Sequence, residues 1–286
     1  MFSDVLLTVD FDRTLTGPDS KIPQRNIEAI EYFMANGGKF TVNTGRSTAT
    51  FWQYLDTVPV NAPFLLYNGS ATWEQGSLKD CVAIDLPVWK TLETVRDLFP
   101  SLNLEVQGDG THYLVHTTDA MVALYENLQW RYTKPTWGQD VGPFMKFALF
   151  GQPKEPVVGD MFDQTREDVA LFDEAEAALH RLYGDKVEIF RAAPRIIDVH
   201  AKGVSKLAAA RKLQKELGRK ILVCVGDAEN DLTMLDGADY AYCPSDGVVA
   251  DCYENVCPCV EGAVADVIYH KLPNILKEQE NPRAPL

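Results

Sequence analysis

The residues best suited to chemistry come in one short run, in which Asp10, Asp12 and Thr14 follow the apolar segment Val5–Val9. Two carboxylates two residues apart, at the end of a buried strand, need a cation or a proton to be stable together. Such a pair can supply one nucleophile and one general acid or base. The structural alternative is a turn or a helix N-cap, in which aspartate is also favoured.

Two more polar sites come at the start of predicted helices. Thr44 lies in the segment N-T-G-R-S at 43–47, where a hydroxyl and backbone N–H groups can bind a phosphate oxygen. Lys206 ends the segment K-G-V-S-K at 202–206 and can pair with a carboxylate and a phosphoryl oxygen. Thr44 can also be a simple N-cap and Lys206 a solvated side chain, and Lys202 is a rival for the basic role.

A second acidic cluster, G-D-A-E-N-D at 226–231, follows the most apolar segment of the chain, 221–225. Carboxylates such as Asp227 and Asp231 are hard oxygen ligands of the kind that Mg²⁺ prefers. The structural alternative is an acidic capping turn, with Asp231 favoured early in a helix by the helix dipole. Ligands of open α/β sheets bind beyond the carboxyl ends of the strands, and all four polar clusters lie at such positions.

Strands and helices are predicted to alternate at both ends of the chain, which indicates a parallel sheet with right-handed crossovers. The predicted strands are 5–9, 39–43, 64–67, 221–225 and one near Tyr240, and the predicted helices are 23–37, 203–217 and about 262–272. This part is predicted to be a Rossmann-like core made of residues 1–83 and 196–286, ending in a loose tail at 281–286.

The middle of the chain has a different pattern, with paired strands joined by short links. The predicted helices are 86–99, 119–132 and 166–183, and the predicted strands are 104–107, 112–116, 144–151, 187–190 and 196–199. Paired strands of this kind predict an antiparallel sheet with helices on one face. The predicted fold class is therefore α/β, a parallel-sheet core with an α+β domain inserted at 84–195.

Composition excludes several function classes. The 286 residues carry a net charge of −14, and nucleic-acid binding depends on clustered basic residues, so no nucleic-acid partner is predicted. No apolar run approaches the length of a membrane span or a signal h-region, so the expected compartment is the cytoplasm. The six cysteines favour reduced thiols, although Cys257-Pro258-Cys259 leaves zinc binding open.

The four polar clusters, in this order, resemble the motifs of the haloacid dehalogenase superfamily of phosphohydrolases. The matches are D-x-D-x-T at 10–14, Thr44, Lys206 and G-D-x-x-N-D at 226–231. Three short segments resemble the Cof-type subgroup in particular: T-G-R at 44–46, N-G at 68–69 and G-V-S-K at 203–206. In that subgroup a large α/β cap lies between the second and third motifs. The resemblance covers nearly the whole chain.

The resemblance implies a Mg²⁺-dependent phosphatase that hydrolyses a small phosphorylated metabolite, such as a sugar phosphate, through an aspartyl-phosphate. It implies that Asp10 is the nucleophile, that Asp12 is the acid and base, and that Thr44 and Lys206 bind the phosphate. The implied metal-binding residues are Asp10, Asp12 (through its backbone carbonyl), Asp227 and Asp231. The predicted substrate-binding residues are Gly45, Arg46, Asn68 and Asn230, and the cap, with Lys146, Arg191 and Arg195 as basic candidates, is expected to carry selectivity.

Two positions depart from the family pattern, since Arg13 and Leu207 stand where the family commonly has Gly. Neither departure removes a reacting group, and a Gly at position 13 would ease a tight turn. The same scaffold also fits a phosphomutase or phosphotransferase, or a protein that binds a phosphorylated ligand without catalysis. A monomer or a small homo-oligomer is expected.

Overall fold

The computed structural model describes residues 1–153 and 166–280 of the chain. The strands are β1 (Val5–Val9), β2 (Lys39–Val42), β3 (Phe64–Leu66), β4 (Ala71–Glu74), β5 (Ser77–Lys79), β6 (Asn103–Gln107), β7 (His112–His116), β8 (Tyr132–Thr133), β9 (Lys146–Phe150), β10 (Val187–Ala193), β11 (Ile196–Ala201), β12 (Ile221–Val225), β13 (Tyr240–Pro244) and β14 (Glu254–Val256). The helices are α1 (Gln24–Ala35), α2 (Thr48–Phe51), α3 (Val88–Leu98), α4 (Asp119–Asn127), α5 (Arg166–Tyr183), α6 (Lys206–Glu216), α7 (Leu232–Asp236), α8 (Ala263–Asp266) and α9 (Leu272–Glu280). The predicted tail at 281–286 lies outside the described residues.

The chain divides into two compact units. The first unit contains residues 1–44, 56–65 and 206–286, and the second contains residues 45–55 and 66–205. None of the helices in the described ranges is long and apolar enough to cross a membrane.

The first unit is built on a parallel sheet with the strand order β14-β13-β12-β1-β2. Strand β1, with the sequence VLLTV, is buried along its whole length, as expected for a parallel strand covered on both faces. On one face Leu6 and Leu222 pack against Ala210 and Leu213 of α6 and Met234 of α7. This confirms the predicted parallel α/β core.

The register of the sheet brings three strand ends together. Val9 is paired with Val225 on one side and with Val42 on the other. The backbone N–H of Asp10 donates to the Val225 carbonyl at 2.9 Å, and that of Asn43 donates to the Val9 carbonyl at 2.8 Å. The residues that follow these strands therefore start from one edge of the sheet.

The second unit is built on a mostly antiparallel sheet with the strand order β10-β11-β9-β6-β7-β8. One face, which includes Val106, Phe147 and Val199, packs in the same core as Leu92 of α3 and Phe172 of α5. The alternation of each strand sends Glu105 and Asp198 to the other face, where buried polar side chains lie. The sheet is antiparallel as the paired strands predict, apart from the parallel pair β7 and β8.

Two details differ from the sequence expectation. Helix α4 ends at Asn127, and Tyr132–Thr133 is a short strand parallel to β7 instead of the end of that helix. Helix α4 also packs on the polar face of the sheet, because Met121 and Tyr125 form an apolar stripe that meets Leu114. Helices therefore cover both faces, not one.

The limits of the two units fall at other places than the predicted limits at 83/84 and 195/196. Strand β11 pairs with both β9 and β10, so residues 196–201 group with the second unit. The sequence shows where strands that alternate with helices give way to strands joined by short links. The extent of a compact unit depends instead on which strands pair with each other.

Candidate active site

One buried lysine joins two aspartates at the sheet edge of the first unit. The Lys206 ammonium lies 2.5 Å from Oδ1 of Asp10 and 2.6 Å from Oδ1 of Asp231. Lys206 is the first residue of α6, and only 1% of it is exposed. The predicted Lys206 and Asp10 are therefore in direct contact.

The loop after β12 adds a third carboxylate. Asp227 is buried, and its Oδ1 accepts a hydrogen bond of 2.7 Å from the hydroxyl of Thr14. Asp231 closes this loop, since its Oδ2 accepts from the backbone N–H groups of Asp227 at 3.0 Å and Ala228 at 3.2 Å. Both oxygens of Asp231 are thus engaged by the protein.

Burial first, and neighbouring charges second, perturb the pKa values of this cluster. Burial raises the pKa of Asp10 to about 7, an effect that Lys206 opposes and that Asp231 and Asp12 increase. Burial also raises the pKa of Asp227 to about 8, and the Asp10 and Asp231 carboxylates add to this shift. Burial alone would lower the pKa of Lys206, but Asp10 and Asp231 raise it above its ordinary value.

The donor set fits a hard divalent cation. Ligand atoms of Asp10, Asp227 and Asp231 all lie within 4.8 Å of one another. When ionised, these three carboxylates face one ammonium, that of Lys206, so a cation would offset the remaining charge. Asp10 and Asp227 each use Oδ1 in the bonds described above, whereas Asp231 is engaged through both oxygens.

A tight turn carries the second aspartate of the first motif. Asp12 is half-buried within the turn Phe11–Leu15, and its backbone is extended, with φ −76° and ψ 128°. The next residue, Arg13, has a left-handed backbone with φ 58° and is exposed. The family that the sequence resembles commonly has Gly at this position. Arg13, which departs from that pattern, is therefore a residue with a strained backbone.

The second motif follows β2. Thr44 is buried, and its backbone N–H donates to the Leu65 carbonyl at 2.9 Å. The neighbouring Asn43 donates from its side chain to the backbone carbonyl of Lys206 at 2.9 Å. Sequence reasoning assigned no role to Asn43 or to the Thr14 hydroxyl, and the signal for both was their place inside matched motifs.

Four further residues, Gly45, Arg46, Asn68 and Asn230, stay predicted substrate-binding residues. Gly45, Arg46 and Asn68 lie in the second unit, and Asn230 is half-buried in the loop before α7. The guanidinium of Arg46 lies 5.4 Å from the ring centre of Tyr54.

Three other groups considered from the sequence are placed elsewhere. Lys202, the rival for the basic role, forms an ion pair of 3.2 Å with Glu188 in the second unit. All six cysteines are free thiols, and Cys257 and Cys259 do not belong to the acidic metal-binding group found among the described residues. Arg191, a basic candidate of the inserted unit, pairs with Glu176 at 2.9 Å.

Residues 7–248, which include every member of the acidic cluster, match the haloacid dehalogenase-like hydrolase family. The chain belongs to this family. The match confirms the family and the kind of enzyme that the four motifs predict.

Relatives of the haloacid dehalogenase-like family match along most of the chain. An uncharacterized hydrolase of Schizosaccharomyces pombe is 23% identical, over 92% of this chain and 89% of that protein. A 5-amino-6-(5-phospho-D-ribitylamino)uracil phosphatase of Bacillus subtilis is 23% identical, over 82% of this chain and 80% of the relative. The solved structure of a haloacid dehalogenase-like hydrolase from B. subtilis has a TM-score of 0.77 at 17% identity, covering 93% of this chain and 99% of its own, which supports the fold.

Proposed function

We propose that this hydrolase is a Mg²⁺-dependent phosphatase that removes the phosphate of a small phosphorylated metabolite through an aspartyl-phosphate on Asp10. The observation that carries the proposal is the buried cluster of three carboxylates around one lysine, which needs a cation to accept an anionic substrate. The name of the B. subtilis relative, a phosphatase, supports the same reaction class.

In this proposal Asp10, Asp227 and the backbone carbonyl of Asp12 hold the ion. Mg²⁺ held by these residues would offset the charge of the carboxylates and of the phosphate, and would act as a Lewis acid. Asp231 stays a predicted further ligand, and its bonds to Lys206 and to the loop that carries Asp227 also orient this part of the site. Asn230 lies in the same loop and is proposed to contact water or substrate.

The reaction has two displacements at phosphorus. Asp10 attacks with one carboxylate oxygen, the bond from phosphorus to the ester oxygen breaks, and Asp12 gives a proton to the leaving alkoxide. A water molecule then attacks phosphorus, Asp12 takes its proton, and the bond to Asp10 breaks to release inorganic phosphate. Lys206 and the Thr44 hydroxyl stabilise the charge on the transferring oxygens.

The substrate class is a phosphomonoester with a polar, hydroxylated remainder. The B. subtilis relative is named for a phosphorylated ribityl compound, which is of this class, as are sugar phosphates. Gly45, Arg46 and Asn68 stay the predicted contacts for the substrate. Six free thiols are usual in a reducing compartment, so the cytoplasm is the proposed location.

The test is release of phosphate from a generic aryl phosphate and from a panel of sugar phosphates, with Mg²⁺ or with a chelator. We expect turnover that requires Mg²⁺ and is lost in Asp10→Asn. Retention of the phosphoryl configuration with a chiral phosphate would support two displacements, whereas inversion would exclude the phosphoenzyme. Transfer to an added sugar hydroxyl, with no release to water, would identify a phosphotransferase instead.

A further inference from the structure

A second buried lysine lies in the second unit, on the polar face of its sheet. Lys146 begins β9 and is only 5% exposed. Its ammonium donates to Oδ2 of Asp198 at 2.9 Å and to the backbone carbonyl of Gly45 at 3.1 Å. One lysine therefore joins the sheet to the residue that is covalently bonded to Thr44.

The turn around Gly45 is held at further points. The backbone N–H of Tyr67 donates to the Arg46 carbonyl at 3.0 Å. Asn68 packs directly against Gly45, since a Cβ atom added at position 45 would come within 2.9 Å of the Asn68 Oδ1 atom. Glycine is thus the residue that fits this turn.

Asn68 is itself fixed by the same cluster. Its backbone is left-handed, with φ 53°, and its amide group donates to Oδ2 of Asp198 at 3.1 Å. The amide nitrogen also lies 3.1 Å from Nε2 of His200, whose Nδ1 lies 2.9 Å from the Ser70 hydroxyl. A neutral His200 that accepts from Asn68 and donates to Ser70 satisfies both contacts, and burial lowers the pKa of His200 well below its usual value.

A buried ion pair is a costly way to gain stability, because well-packed apolar residues of the same volume are often as stabilising. Here the ion pair orients the backbone at Gly45, since a charged donor holds the Gly45 carbonyl more firmly than a neutral donor does. A backbone carbonyl held in this way fixes the plane of its peptide group, which here is the group that joins Gly45 to Arg46.

We propose that Lys146, oriented by Asp198, is a positioning residue for the turn Gly45-Arg46 of the second unit. It touches no reacting atom and acts through the Gly45 carbonyl. This inference rests on the proposed function, in which Gly45 and Arg46 contact the phosphorylated substrate. Misplacement of such a contact by about 1 Å can cost roughly 10²-fold in rate.

The test compares Lys146→Met with the double variant Lys146→Met/Asp198→Asn. The single variant leaves Asp198 without its cation, so we expect both thermal stability and kcat/KM to fall. The double variant removes that unpaired carboxylate and keeps an amide that can bond to Asn68, so we expect its melting temperature to recover. Its kcat/KM should stay about 10- to 10²-fold low, and its affinity for inorganic phosphate as a competitive inhibitor should stay weakened. Lys90→Met, at an exposed lysine of the same unit, is the matched control.

The outcomes distinguish failure of the positioning role of Lys146 from failure of the proposed phosphatase function. If the double variant regains wild-type kcat/KM and phosphate affinity together with stability, Lys146 is only structural and the positioning role is wrong. If the double variant stays unstable, the same two kinetic constants measured on the folded fraction at low temperature decide in the same way. Wild-type protein without any phosphatase activity would contradict the proposed function itself, and the positioning role with it.

Discussion

Each unit buries a lysine against aspartate, but the two clusters differ in their balance of charge. In the first unit the single ammonium of Lys206 faces Asp10, Asp227 and Asp231. In the second unit, within the residues that the structure describes, the ion pair of Lys146 is with Asp198. The first cluster has an excess of negative charge that protons or a cation must offset, whereas the second is neutral as it stands.

The other buried carboxylate of the second unit, that of Glu105, has close hydrogen-bonding partners. The Glu105 carboxylate lies 3.3 Å from Nδ1 of His112 and accepts hydrogen bonds from Gln107 and Tyr125. Burial alone would raise the pKa of Glu105, but these partners, His112 first, lower it. Buried charge is therefore not by itself a sign of a catalytic site, and it is the imbalance in the first unit that points to a cation and a reaction.

The largest expected difference between the clusters is in activity. Asp10→Asn removes the proposed nucleophile, so kcat should fall by roughly 10³-fold or more. Asp198→Asn, the same change in the balanced cluster, acts only through position and should cost no more than about 10²-fold. Phosphate release under saturating Mg²⁺ measures both. Comparable losses in the two variants would argue against a special role for Asp10.

The next largest effect concerns the two lysines and stability. Lys206→Met leaves Asp10 and Asp231 without their cation, so the free energy of unfolding in the presence of a chelator should fall by about 3–5 kcal/mol. Lys146→Met leaves only one carboxylate, that of Asp198, without its cation, so the free energy of unfolding should fall by less. Urea denaturation measures both. Added Mg²⁺ should restore part of the stability of the Lys206 variant and none of that of the Lys146 variant, and the reverse pattern would contradict the assignment.

The raised pKa values predict how the stability of metal-free protein depends on pH. The pKa of Asp10 is raised from 3.8 to about 7 and that of Asp227 from 3.8 to about 8. At a pH between the ordinary and the raised pKa of each group, the folded state therefore binds more protons than the unfolded state. The free energy of unfolding should therefore decrease as pH rises from about 4 to 8, by about 1.4 kcal/mol per pH unit for each proton involved.

Two comparisons check this pH dependence by denaturation at several pH values. Asp227→Asn should flatten the slope, because the amide does not titrate. Mg²⁺ should flatten it as well, because the cation stabilises the ionised carboxylates. A slope that is the same in wild type and Asp227→Asn would place its origin outside the acidic cluster.

The smallest expected effect lies in the turn beside Asp12. Arg13 has φ 58°, a conformation that costs a residue with a Cβ atom roughly 1–2 kcal/mol and costs glycine little. Arg13→Gly should raise the free energy of unfolding by up to about 1 kcal/mol, after part of the gain is offset by the greater freedom of glycine in the unfolded chain. Arg13→Ala keeps the Cβ atom and should show no gain. Equal stability of the two variants would mean that the turn is not strained.

Much of the first unit could be predicted from the sequence. A fully buried parallel strand is a continuous apolar run, and Val5–Val9 and Ile221–Val225 are such runs. Polar residues directly after them had to lie at one sheet edge, so the partners Asp10 and Asp227 could be named. The end of α4 could not, because the residues after Asn127 keep an apolar pattern that fits a helix as well as the strand Tyr132–Thr133.

The cluster of the second unit escaped prediction for a different reason. The sequence offers Lys146 only as one of three basic candidates, with Arg191 and Arg195, and gives no sign of a role for His200. Their contacts with Asp198 and Asn68 join residues that are far apart in the chain. No spacing in the sequence encodes such a contact, since it depends on the register of β9 and β11.

Titration calorimetry with Mg²⁺ tests the difference between the clusters most directly. Wild-type protein should bind Mg²⁺ with measurable heat, and Asp227→Asn, in the unbalanced cluster, should lose that binding. Asp198→Asn, in the balanced cluster, should bind Mg²⁺ as wild type does. Undiminished binding by Asp227→Asn, or none by the wild type, would contradict the claim that the excess charge around Asp10 is a site for a divalent cation.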